Sequence, residues 1–395
     1  MKTREDYRTK VERDILSLSN QNLLLILPTG FGKSKMALDI MHLRCKAGDR
    51  ILVVVPKNVL KDNWEEEFKK WGYEDYLPYT TFVTYVSFPK VANEYQLVIF
   101  DEVHHLTERC QDSLDAFIIH NAVMLSATVG RELRYNLVTY FPNLYIYKVR
   151  TREAIDEDIL PDPRVYLIPM TLDNTKVNCE IIKNKSKGNP IIVSYAQRWN
   201  YKGVKNRKVI IKCTQQEYYN DISNLISYYK NKMFMEIFKN RYLHTSGDRL
   251  KWLSNQKTAF VHTLLDYLNG ERTLTFCNSI EQTEELGKYC INSKNKNSDE
   301  ILSKFNSGKI NHITACAMLD EGVNLSNCRI GVYANLNSSI RMIKQRLGRL
   351  LRHKDPIIII PYFINTRDEE IVNKMCADYN AELVSTITNI NNIQL

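Results

Sequence analysis

The sequence predicts an α/β protein built on parallel sheets and divided into two lobes. Short apolar runs alternate with amphipathic segments along most of the chain, the pattern of strand–helix–strand units. The runs, such as residues 23–28 and 357–361, lack polar alternation, so they suit the centre of a sheet covered on both faces. The alternation lapses after about residue 150 and resumes near residue 273, which separates the lobes.

In the first half the apolar runs predict strands at 23–27, 51–55, 81–84, 97–100 and 122–125. Residues 33–47 predict the first helix between them and 59–71 the next. In the latter, Trp64, Phe68 and Trp71 fall at helical spacing, which directs them into the core. Charges and two prolines, Pro161 and Pro163, mark a boundary over 150–163. An irregular stretch is expected next. Between Lys176 and Lys212 stand ten Lys or Arg against one Glu, interleaved with Tyr195, Trp199 and Tyr201. Residues 217–240 and 249–268 read as helical, and strands resume at 273–277, 313–317, 329–333 and 357–361. The expected division is lobe 1 at 1–150, a linker with a basic, helical accessory segment at 151–257, and lobe 2 at 258–395.

The composition is that of a globular protein, with 44% hydrophobic and 25% charged residues in 395. A net charge of +9 fits a polyanionic partner and many others besides. The nine cysteines include no C-x-x-C pair, so no zinc ribbon or thioredoxin-like site is indicated. They read as reduced thiols of a cytoplasmic protein, cellular or viral. The charged N-terminus has no apolar core of a secretory signal. No run approaches the ~20 apolar residues of a spanning helix, so no membrane partner is expected.

Three short motifs carry chemistry. Pro28-Thr29-Gly30-Phe31-Gly32-Lys33-Ser34 lies between a strand and a helix, the context of a phosphate loop. Glycines let backbone N–H groups turn towards phosphates, and the helix presents its positive end. Lys33 suits the β- and γ-phosphates and Ser34 suits Mg²⁺. The strict pattern asks for a glycine where Leu27 stands. Asp101-Glu102-Val103-His104 closes the apolar run 97–100. Phosphate hydrolysis uses one carboxylate for Mg²⁺ through water and another for the attacking water, roles that suit Asp101 and Glu102. Ser126-Ala127-Thr128 follows another strand.

In this order the motifs resemble those of superfamily 2 helicases and translocases. Gly30–Ser34 resembles motif I, where the missing first glycine is normal, Asp101–His104 motif II, and Ser126–Thr128 motif III. Residues 53–56 with the following helix resemble motif Ia, and Thr84-Tyr85 falls where another backbone-contacting motif lies. In lobe 2, Phe276-Cys277-Asn278-Ser279 resembles motif IV, and Leu319-Asp320-Glu321-Gly322-Val323-Asn324-Leu325 motif V. Gln345-Arg346-Leu347-Gly348-Arg349-Leu350-Leu351-Arg352 matches motif VI without a break. Its Gln345, Arg349 and Arg352 share one helical face, from which guanidinium groups can meet a γ-phosphate.

The resemblance implies two RecA-like lobes with an insert at the start of the second, and ATP hydrolysis with Mg²⁺ coupled to movement on nucleic acid. It implies that Thr29, Gly30, Phe31, Gly32, Lys33, Ser34, Gly322 and Asn324 bind the nucleotide, with Ser34 and Asp101 serving Mg²⁺. Lys33, Asp101, Glu102, Gln345, Arg349 and Arg352 form its catalytic set. Pro56, Lys57, Thr84, Tyr85, Asn278 and Trp199 are the expected nucleic-acid contacts. Arg8 stands where many members carry an adenine-reading glutamine, and can stack on the base. His105 reads equally as second-layer or structural, and His353 as a helix-end residue. Residues 53–71 resemble the DNA translocases of restriction enzymes, excision repair and phage branch migration, which favours DNA over RNA. An RNA helicase and a motor or binding subunit of a nuclease or repair complex are the alternatives. The basic stretch 176–212 suits either a DNA-gripping insert or a solvated loop.

Overall fold

The computed structural model describes residues 4–18, 21–175, 177–181, 191–194, 209–316, 325, 328–336, 350, 353–377 and 379–395. Their strands are β1 (Asn22–Ile26), β2 (Ile51–Val55), β3 (Thr80–Thr84), β4 (Glu94–Phe100), β5 (Ile118–Ser126), β6 (Leu144–Lys148), β7 (Arg164–Met170), β8 (Val177–Ile181), β9 (Ile191–Ser194), β10 (Val209–Cys213), β11 (Thr273–Phe276), β12 (Cys290–Ile291), β13 (His312–Ala315), β14 (Ile330–Tyr333), β15 (Ile357–Phe363) and β16 (Val384–Thr386).

The first sheet runs β3-β2-β4-β5-β1-β6 with every pairing parallel. Its central strands are apolar on both faces because both faces are covered. Leu23 and Leu25 of β1 pack with Val53 and Val55 of β2 and with Met36 and Phe68 of the flanking helices. Leu24, Ile26, Leu52 and Val54 face a separate core with Phe88, Phe100 and Phe141. The helices Lys33–Arg44 and Val59–Lys70 match expectation to within a turn. Trp64 and Phe68 are buried as the periodicity predicts. Trp71 differs: it is exposed at the helix end, its N–H donating to Glu67 Oε2 at 2.6 Å beneath Lys70 and Lys35.

The second sheet runs β12-β13-β11-β14-β15-β7-β16, again parallel. It takes in β7, which pairs along its whole length with β15, from Ile357 opposite Arg164 to Phe363 opposite Met170. The sheet of lobe 2 therefore starts at residue 164 rather than after 258. The basic stretch and the helices after it are inserted behind its first strand.

That stretch was expected to be irregular, but its described residues form a small sheet in which β10 pairs antiparallel to β8 and parallel to β9. Trp199 and the rest of the stretch lie outside the described residues. Thr214 then starts the helix Gln215–Lys230 with a reciprocal cap. Its hydroxyl accepts from Glu217 N at 3.0 Å, and Glu217 Oε2 accepts from Thr214 N at 2.8 Å. A second helix, Glu236–Gln256, follows a tight turn where one continuous helix over 217–240 was expected. A third, Thr258–Tyr267, packs Val261, Leu264 and Leu268 into the lobe 2 core.

Candidate active site

Because the first sheet is parallel, the carboxyl ends of its strands share one edge, where ligands of open α/β sheets bind. The strand order fixes the sequence of segments along that edge. The loops after β3 and β2 come first, then Asp101-Glu102 after β4, then Ser126-Ala127-Thr128 ending β5, then the glycine loop after β1.

Leu27 continues β1 by donating its N–H to Ser126 O at 3.0 Å. The loop then turns through Gly30 (φ 89°) and Gly32 (φ 102°), both left-handed, into the helix that begins at Lys33. Two glycines are required there, since any Cβ would strain the turn. Phe31 between them is fully buried, so its side chain anchors the loop in the core and only its backbone is available to a nucleotide. The Thr29 hydroxyl is buried with no hydrogen-bond partner among the described residues. A buried donor of this kind, in a glycine turn at the start of a helix, fits a phosphate.

Arg8 reaches this loop from the helix Arg4–Leu16. Its guanidinium lies over Gly32, where a Cβ would collide with it. Lys33 donates to Leu27 O at 3.3 Å and stands 3.9 Å from Glu102 Oε1. Ser34 is the second residue of the helix and partly exposed.

Asp101 donates its N–H to Val54 O at 2.8 Å, extending the pairing of β4 with β2. The Trp64 indole donates to Asp101 Oδ2 at 3.0 Å, and the Tyr85 hydroxyl donates to Asp101 O at 2.9 Å. Burial, with the Glu102 charge beside it, pushes the Asp101 carboxyl up to about 6, against the Trp64 hydrogen bond and the Lys33 charge. Glu102 has a left-handed backbone (φ 49°), unusual for a residue with a Cβ. Its Oε2 lies 3.3 Å from the Ser126 hydroxyl and 3.3 Å from His104 Nδ1, which is 2.9 Å from that hydroxyl. Ser126 also receives the Thr128 N–H at 3.2 Å. A short hydrogen-bonded group therefore joins the segments after β4 and β5. The His105 ring sits 4.5 Å from His104 and 6.0 Å from Tyr85.

The structure thus brings together Thr29, Gly30, Gly32, Lys33, Asp101, Glu102 and Arg8. It corrects Tyr85: the ring is buried and its hydroxyl is spent on Asp101, so it offers no surface to nucleic acid. Lys57 is exposed beyond β2, Pro56 partly so. The Thr84 hydroxyl is 3.4 Å from that of Ser87. Asn278 follows β11 partly exposed, its N–H bonded to Gln282 Oε1 at 2.9 Å. His353 Nδ1 accepts the Asp355 N–H at 3.1 Å, a turn contact. Gly322, Asn324, Gln345, Arg349 and Arg352 lie outside the described residues. Leu350 between them is buried against Gly331 of β14. Ser126 and His104 stand in motifs the sequence singled out, but their hydrogen bond to each other and the bond of Trp64 to Asp101 were not visible there. A polar-tipped aromatic on a buried helix face was the one signal available for Trp64.

Two family models match in order along the chain, one described as type III restriction enzyme, res subunit, over residues 3–86, and the other as helicase conserved C-terminal domain over residues 256–354. The two matches support a helicase or translocase of superfamily 2, an ATP-hydrolysing enzyme. The DNA 3′-5′ translocase XPB2 of Sulfurisphaera tokodaii is 24% identical over 383 residues, covering 92% of this chain and 80% of the relative. Among solved structures, the Hef helicase domain of Pyrococcus furiosus superposes with a TM-score of 0.52 at 15% identity, over 93% of this chain and 97% of that one. Dbp5 of S. cerevisiae bound to RNA and ADP BeF3 superposes with a TM-score of 0.57 at 10% identity, over 96% and 89%. These two likenesses are of fold, and both fit the two-sheet architecture.

Proposed function

We propose that the chain is an ATP-driven DNA motor that translocates along, or remodels, duplex or branched DNA. The observation that carries the reading is the convergence of Lys33, Asp101 and Glu102 on one sheet edge beside the glycine loop and the Thr29 hydroxyl, which has no partner among the described residues. Loop N–H groups and Lys33 take the phosphates. Ser34 and Asp101 are hard oxygen donors of the kind that suits Mg²⁺ and would hold it, directly or through water. Bound there, Mg²⁺ neutralises charge on the phosphates. Glu102, steadied by Ser126 and His104, orients the attacking water. Arg349 and Arg352, which lie outside the described residues, carry the spacing by which guanidinium groups would meet a γ-phosphate and tie hydrolysis to conformation.

DNA is the proposed track because XPB2, similar over most of both chains, is named a DNA translocase. Exposed Lys57, beside the site, suits contact with a phosphate backbone. The test is steady-state ATP hydrolysis with single-stranded DNA, duplex DNA, a branched junction and RNA. Stimulation by one of the DNA forms above RNA is expected. Stimulation by RNA alone, dependent on the 2′-OH, would replace DNA with RNA.

A further inference from the structure

Asp101 is held by two side chains from outside its own strand. Trp64 takes Oδ2 at 3.0 Å and Tyr85 takes the main-chain oxygen at 2.9 Å. Both are almost fully buried, at 3% and 4% exposure. Neither hydrogen bond is needed to fill the core, since an apolar aromatic packs there without a donor. Phe68, one helical turn on from Trp64, does so.

The chain segments that carry these donors matter more. Trp64 belongs to the helix that opens just after Pro56-Lys57 at the end of β2, and Tyr85 directly follows β3. The order β3-β2-β4 sets both segments beside Asp101 on one sheet edge. Each segment has a solvent side as well: Lys57 and Asn58 are exposed after β2, and Val86, next to Tyr85, is 83% exposed. Each therefore has one end in solvent and one donor on Asp101. Tyr85 is fixed from behind as well, its carbonyl accepting from Cys110 Sγ at 3.2 Å.

We propose that Trp64 and Tyr85 are positioning residues that transmit occupancy of these two loops to Asp101. Nucleic acid resting on the outer faces of residues 56–58 and 84–87 shifts the helix start and the turn. The indole then carries that shift to the carboxylate that serves Mg²⁺, and the phenol carries it to the backbone that bears the carboxylate. The inference rests on the reading of Asp101 as that carboxylate and of these loops as the nucleic-acid side.

The test uses the full chain with Tyr85→Phe, which removes the donor and keeps the ring, and Trp64→Phe, which removes the donor and shrinks the indole to a phenyl ring. Phe68→Leu serves as a packing control that does not touch Asp101. Binding of a fluorescent ADP is titrated with Mg²⁺, with and without duplex DNA. In the wild type, DNA lowers the Mg²⁺ concentration at half-saturation. In Trp64→Phe that concentration rises about tenfold, the scale of losing a hydrogen bond to a charged group, and the DNA effect disappears. In Tyr85→Phe the DNA effect shrinks, and in Phe68→Leu both quantities stay at wild-type values. Nucleotide binding without Mg²⁺ is the same in all. Should Trp64→Phe not fold, Tyr85→Phe alone decides. Donor variants that bind with wild-type Mg²⁺ and DNA dependence would overturn the inference and leave the site reading intact. A wild type whose nucleotide binding ignores Mg²⁺ would overturn the site reading and the inference with it.

Discussion

Lys257 and Asp368, 111 residues apart, meet at 2.9 Å with both side chains sealed from solvent. Lys257 sits where the helix Glu236–Gln256 hands over to Thr258–Tyr267, and Asp368 lies in the first turn of the helix Arg367–Cys376. Asp368 Oδ2 also accepts the Phe363 N–H at 3.4 Å, which ties the pair to the end of β15. The pair therefore pins the inserted helices to the second sheet. Asp368→Ala leaves a buried ammonium unpaired and is expected to cost about 3–5 kcal/mol. Lys257→Met with Asp368→Leu removes both charges and is expected to cost much less. Urea unfolding midpoints of the three proteins check the order. A double variant no more stable than Asp368→Ala would contradict it.

Gly32 has a left-handed backbone and lies beneath the Arg8 guanidinium. Gly48 is equally left-handed (φ 96°) but faces open space. Alanine at either position is expected to cost about 1–2 kcal/mol of backbone strain. Only Gly32→Ala also displaces Arg8 and closes the loop, so nucleotide affinity falls there and holds in Gly48→Ala. Calorimetric titration with ADP separates the two. Equal affinity in both variants would contradict the placement of the nucleotide.

His312, at the start of β13, is largely buried, with Nε2 3.1 Å from the Thr275 hydroxyl. Burial pushes it down from 6.5 to about 4. The fold therefore keeps the ring neutral, and the unfolded chain takes up the proton first as pH falls. Its contribution is fully present above pH 6.5 and is lost between 6.5 and about 4, up to about 3 kcal/mol. His312→Asn is expected to flatten the stability–pH curve across that window. An unchanged slope would contradict the assignment.

Long, uniformly buried strands were the easiest elements to read from sequence. β2 is apolar at every position and buried at every position, and its bounds match expectation. β7 was harder, since it joins its sheet next to β15, nearly two hundred residues further on, and nothing local announces that pairing. The turn between the inserted helices holds no glycine or proline to mark it. At the site, the glycine loop and Asp101-Glu102 were legible because their chemistry is packed into consecutive residues. Trp64 was legible only as an inward-facing ring. Its partner lies 37 residues away, and helical periodicity does not say which polar atom an indole will meet. Tyr85 misled for a related reason, since it borders the solvent-facing turn yet points beneath Asp101.

The most direct test of the central claim is steady-state ATP hydrolysis by the purified chain with duplex DNA, for wild type, Lys33→Ala and Glu102→Gln. Wild-type hydrolysis stimulated by DNA is expected. Lys33→Ala should lose nucleotide binding and activity together. Glu102→Gln should keep binding and lose activity by about 10²–10⁴-fold, the range of a positioned general base. Hydrolysis that persists at wild-type rates in both folded variants would contradict the assignment of this sheet edge as the catalytic site.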